Sequence, residues 1–150
     1  MLERPSEGWG ARIRRVLAAL GGEAQVADQL EPLLDLLVEW NSRIDLTAAR
    51  SADELVDLVV ADAALLARAS HRCGRGSASF VDIGAGAGAP GLALALFLPL
   101  ASFTLVEPRT KRVAFLRTAV GLLGVTNVRP SRPIRSNRKA FAGAPQPATP

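Results

Sequence analysis

Residues Phe80 to Gly91 read FVDIGAGAGAPG, and Phe103 to Glu107 read FTLVE. A short apolar run ends in Asp82 and passes into a loop with glycines at 84, 86, 88 and 91. A segment of helical pattern follows, and then a second apolar run that closes on a carboxylate. The order of strand, glycine turn, helix and strand with a terminal acid constrains this stretch to an α/β unit. Such a unit carries a pocket for a nucleoside-bearing cofactor at its strand ends. Three glycines alternating at one strand end are more than a tight turn requires.

The glycines admit two registers. From Gly86, the residues Gly86-Ala-Gly88-Ala-Pro-Gly91 fit the dinucleotide fingerprint, with pyrophosphate at a helix N-terminus and Glu107 on the ribose. From Asp82, the run is D-x-G-x-G-x-G, with an acid two residues ahead of the first glycine. S-adenosylmethionine has a cationic amino group and a sulfonium but no pyrophosphate. A strand-end carboxylate attracts that charge and would repel a pyrophosphate. The residues therefore favour the methyl donor, and an NAD-linked oxidoreductase domain is the alternative. Glycine lets the backbone approach a ligand closely, and Pro90 suits the first turn of the next helix.

With 150 residues, 49% apolar and 21% charged, the chain reads as one globular domain. No apolar run approaches the roughly twenty residues of a membrane span. The N-terminal MLERPSEGWG has no apolar signal core, and a single cysteine, Cys73, excludes an internal disulfide framework. These features point to the cytoplasm. His71 and Cys73 lie in a polar loop with no partnering carboxylate, so no metal site is expected. Residues 1–130 carry 14 acids and 14 Lys or Arg, and the net charge of +4 comes from Arg132, Arg135, Arg138 and Lys139.

Apolar spacing predicts helices over 9–20, 23–44 and 51–69, the last opened by the capping-box pattern Ser51-Ala-Asp-Glu54. A polar linker over 70–78 follows. Strands are predicted at 79–83 and 102–107, and helices at 90–98 and 109–123. Asn127-Val128-Arg129 reads as the entry to a third strand that does not develop, because Pro130 opens a proline-rich tail. Three parts result: a helical segment over 1–70, a partial α/β core over 79–130, and a disordered basic tail over 131–150.

Three stretches together resemble one family. Leu36 to Arg50 reads LLVEWNSRIDLTAAR, Phe80 to Gly91 carries the glycine loop with its terminal Pro-Gly, and Leu105 to Arg117 reads LVEPRTKRVAFLR. They are similar to the bacterial 16S ribosomal RNA guanine-N7 methyltransferase G, also called glucose-inhibited division protein B. The resemblance implies N-terminal helices followed by a Rossmann-like S-adenosylmethionine-dependent methyltransferase fold. It implies a donor site with Asp82 beneath the methionine end, backbone at Gly84, Gly86, Gly88 and Ala89 lining the pocket, and Glu107 on the ribose hydroxyls. The implied partner is 16S ribosomal RNA or the small ribosomal subunit, with no membrane. Trp40, Asn41, Thr47 and Arg50 match the family's N-terminal signature, as candidates either for the RNA-facing side or for core and capping roles. Arg109, Lys111 and Arg112 face RNA phosphates or simply form a solvated first turn. No catalytic acid or base is identified.

The resemblance stops after Val128, where family members continue with further strands. The chain is expected to be truncated or frame-shifted after about residue 129, leaving the first strands only. Strand 79–83 should then have an unpaired apolar edge, open to self-association.

Overall fold

A computed structural model of the chain describes residues 2–22 and 24–133. The expectation of a disordered tail falls mostly on residues outside that range.

The first half is helical because its apolar residues recur on one face. Helix α1 (Gly10–Leu20) buries Ile13 and Leu17 and ends on Gly21, whose φ of 70° is the left-handed turn that glycine adopts freely. Helix α2 (Val26–Asn41) buries Leu30, Leu33, Leu34 and Leu37 and continues through Pro32. The single helix predicted over 51–69 is three pieces: α3 (Ala52–Val56), a π-helical turn (Asp57–Ala61) and α4 (Asp62–Arg72). Its buried pairs, Leu55/Val56, Val59/Val60 and Ala63/Ala64, recur every four residues. A 3.6-residue helix would let that stripe drift around its axis, and the wider π turn absorbs the difference. Ser51 caps α3 by accepting the Glu54 N–H at 3.2 Å, and the Glu54 carboxylate accepts the Arg50 N–H at 2.7 Å.

The second half is a three-stranded parallel sheet in the order β1 (Ser79–Ile83), β2 (Ser102–Val106), β3 (Val128–Ser131). Helix α5 (Gly91–Phe97) connects β1 to β2, and α6 (Thr110–Leu123) connects β2 to β3. The third strand, expected not to develop, forms through Pro130. Asn127 and Ser131 accept from the Phe103 and Glu107 N–H groups at 2.8 and 3.0 Å. In that alternation the nitrogen of residue 130 points away from β2, so on this edge strand the proline forfeits no ladder bond.

The helical segment and the sheet share one core, which runs from Ile13 and Leu17 through Leu33 and Leu37 to Leu92, Leu105 and Phe115. Gly91 to Leu96 of α5 are buried without a break, as befits a helix lying between a sheet and α2 and α4. The Asn127 amide points at the carbonyls of Ala95, Leu98 and Ala101 at 3.3, 3.2 and 3.0 Å. It closes the α5–β2 turn over the start of β3. The far edge of β1 has no strand partner among the described residues, and Val81 and Ile83 there are 63% and 83% exposed.

Burial predicts a sharp contrast between neighbouring strands. Leu105→Ala should cost about 2–5 kcal/mol and Ile83→Ala no more than about 0.5 kcal/mol, read from urea denaturation midpoints. Asn127→Ala should cost about 1–3 kcal/mol, because it leaves carbonyls of the turn without a donor.

Candidate functional site

The glycine loop leaves β1 at the level where β2 ends. The Gly84 and Ala85 amides both donate to the Val106 carbonyl, at 2.8 and 3.1 Å, which carries the strand pairing into the turn. Beyond that point the two acids singled out in the sequence take over. Glu107 is 2% exposed; its Oε2 accepts from the Gly86 N–H at 3.0 Å and its Oε1 from the Arg109 N–H at 2.8 Å. Asp82 Oδ2 accepts from the Gly91 N–H at 3.2 Å. The carboxylates therefore bracket the loop, one near its entry and one at its exit.

Between those anchors the backbone has little freedom. Gly84, Gly86 and Gly88 all have positive φ, and Gly88 is the most confined. A methyl group on Gly88 (φ 78°) would stand 2.8 Å from Leu92 Cβ and 3.2 Å from Leu116 Cδ2. Gly91 is required by contact alone, since a methyl there would lie 2.5 Å from Asp82 Oδ2 and 2.7 Å from Leu105 Cδ2. It lets α5 settle directly on β1 and β2, as the last glycine of such loops does. Pro90 stands one residue outside α5 as its N-cap, and Ala89 packs against the core.

The two carboxylates have different surroundings. Glu107 is enclosed by the loop it anchors. Asp82 lines an apolar groove of about 210 Å³ along the outer side of β1, with Leu66, Phe80, Val81, Leu94 and Phe103. Burial in that groove raises the Asp82 pKa, partly offset by the Gly91 hydrogen bond.

The N-terminal signature residues build a loop. Asn41 Oδ1 accepts from the Leu46 and Thr47 N–H groups at 2.9 and 3.0 Å, and Thr47 Oγ1 accepts from Ala49 N–H at 3.1 Å. Trp40 is half-buried and meets Phe115 edge-on at 5.7 Å, while Arg50 is exposed. This loop reaches the glycine site through Arg112, whose Nη2 donates to the Asp45 carbonyl at 2.6 Å. That contact has no local sign in the sequence, because its partners lie 67 residues apart. Among the described residues no group of three or more His, Cys, Asp and Glu side chains could hold a metal ion, and no helix is long and apolar enough to cross a membrane.

Parallel strands joined by helices, a glycine turn after the first strand and an acid after the second define an α/β chain of the Rossmann-like methyltransferase class, here with its first three strands. A family profile described as "rRNA small subunit methyltransferase G" matches residues 26–136. Relatives of that name include one from Chromohalobacter salexigens, 41% identical over 80% of this chain and 56% of its own length. One from Myxococcus xanthus is 37% identical, over 71% and 47%; one from Wolinella succinogenes is 41% identical, over 69% and 51%. The chain belongs to the rRNA small subunit methyltransferase G family, and it spans about half the length of these curated relatives. Membership favours the register that begins at Asp82 over the dinucleotide one.

Two predictions follow from the loop. Gly88→Ala should destabilise the chain by more than the roughly 1 kcal/mol of an ordinary glycine replacement, because conformation and contact both oppose it. For Asp82, a pKa raised on folding means stability that is present below the unfolded pKa and lost as pH rises through the folded one. Asp82→Asn removes that loss and keeps an acceptor for Gly91. Its melting temperature should match or exceed that of the parent at pH 7, with the gain shrinking as pH falls toward 4.

Proposed function

We propose that this chain carries the donor-binding half of an S-adenosylmethionine-dependent methyltransferase that acts on N7 of a guanine in 16S ribosomal RNA, in the cytoplasm. The observation that carries the reading is the pair of acids bracketing a glycine loop, in a chain whose family is that of rRNA small subunit methyltransferase G. Asp82 would face the cationic methionine end, and backbone at Gly84, Gly86, Gly88 and Ala89 would line the pocket. Glu107 would accept from the ribose hydroxyls, since each of its oxygens keeps a lone pair beyond the one given to an amide. Its burial means that the loop must shift for a ribose to reach it.

When bound, the donor supplies an electrophilic methyl group. Guanine N7 offers a free lone pair, so no proton has to be removed first and no general base is required. The chain's own contribution is orientation and the exclusion of water. Asp82 and Glu107 are binding groups in this scheme.

A second reading is a non-catalytic cofactor-binding remnant or interaction module. The bare edge of β1, with Val81 and Ile83 exposed, is the observation behind it, and that edge would also support self-association.

A thermal unfolding scan tests the donor reading. S-adenosylhomocysteine at about a hundred times its dissociation constant should add roughly 2.7 kcal/mol, while NADH should leave the transition in place. Glu107→Ala should abolish the shift. Transfer of labelled methyl to 16S RNA would establish the enzyme; a ligand shift without transfer would establish the remnant. A transition unmoved by S-adenosylhomocysteine would refute the donor site, in the enzyme and in the remnant alike, and leave the interaction module.

A further inference from the structure

Next to the glycine loop, where Arg112 approaches Gly86, lies a cleft of about 410 Å³. Its walls are the loop after α2 (Arg43, Ile44, Asp45) and the start of α6 (Arg109, Thr110, Lys111, Arg112). Four cations and one carboxylate line it. Among the described residues the side chains of Arg109, Lys111 and Arg112 form no ion pair, and Arg43 has only an exposed contact with Glu39 at 3.5 Å. No Asp or Glu follows Glu107 in the sequence, and Glu107 itself is buried with its oxygens on the Gly86 and Arg109 amides.

The placement of these cations runs against helix stability. The first turn of α6 has no acid, and its N-cap Arg109 offers no side-chain cap. Cations there oppose the helix dipole. Arg112 holds the two walls together: Nη2 is on the Asp45 carbonyl, and Nη1 stands where a methyl on Gly86 would meet it at 3.6 Å. The cleft thus opens beside the loop that brackets the proposed donor site.

We propose that this cleft holds the phosphodiester backbone of RNA, with Arg43, Arg109 and Lys111 on the phosphates and Arg112 bracing the junction with the glycine loop. The inference rests on the methyltransferase reading for its choice of polyanion, and it adds the surface that would position the substrate. Phosphate contacts of this kind fix register without reading bases, and each contributes to the salt dependence of binding through counterion release.

The test is fluorescence anisotropy of a labelled RNA hairpin against the full chain over a salt series. Arg43→Ala, Arg109→Ala and Lys111→Ala should each weaken binding several-fold at low salt and reduce the slope of log affinity against log salt by about one. Lys111→Arg should retain the parent slope, and the S-adenosylhomocysteine melting shift of every variant should be that of the parent. That separate readout keeps failure of the donor site distinct from failure of the cleft. The proposal is overturned if the full chain does not bind the hairpin, or if the three alanine variants keep the parent affinity and slope. It is also overturned if Arg135→Ala, Arg138→Ala and Lys139→Ala together remove all binding, or if polyglutamate binds more tightly than RNA of equal charge.

Discussion

The acceptance of loop amides by two carboxylates is the constraint on which the rest of this structure turns. Glu107 takes the Gly86 N–H and Asp82 the Gly91 N–H. An acid at the end of β2 thereby fixes the entry to a loop that leaves β1, and an acid within β1 fixes the start of α5. Buried amides without acceptors would be costly, and a buried carboxylate without donors more so. Each satisfies the other, and the loop between them has no room for a side chain at Gly88. The proposed donor site is therefore built mainly from backbone held in place by acids.

Among the described residues the sheet that carries this loop has three strands, with β1 at its edge. The helical first half completes its core. Helices α1 and α2 bring Ile13, Leu17, Leu33 and Leu37 into the same core as Leu92, Leu105 and Phe115. The apolar positions of β1 that this core does not reach, Val81 and Ile83, are left in solvent. In a doubly wound sheet the first strand is flanked on both sides, so these exposed side chains mark where the arrangement stands open.

Much of the architecture was legible because its signals are local. The bounds of β1, α5, β2 and α6 follow from short apolar runs, glycine, and the 3.6-residue spacing of Val113, Leu116 and Val120. The capping role of Ser51 was equally plain. The π turn was hidden, because a four-residue recurrence of apolar pairs looks helical until the drift of the stripe is followed through three turns. Strand β3 was misread because the penalty of Pro130 depends on which way its nitrogen faces, and that is set by pairing with β2.

The site was legible in its residues and less so in its geometry. Asp82 and Glu107 stood out as strand-end acids, yet nothing local showed that both serve backbone amides of one loop. Asn127, whose amide ties three carbonyls together, gave no signal beyond its place before a strand. The cationic cleft needed the loop after α2 to meet α6, a contact made across 67 residues of sequence.

Native-state amide hydrogen exchange at Gly86 and Gly91, without ligand, tests the central claim most directly. If Glu107 and Asp82 hold the two ends of the loop, both amides exchange far more slowly than those of an open loop, at rates near those of the β2 core. Exchange of both at the rate of unstructured glycine would contradict the account, because the loop would then be unanchored.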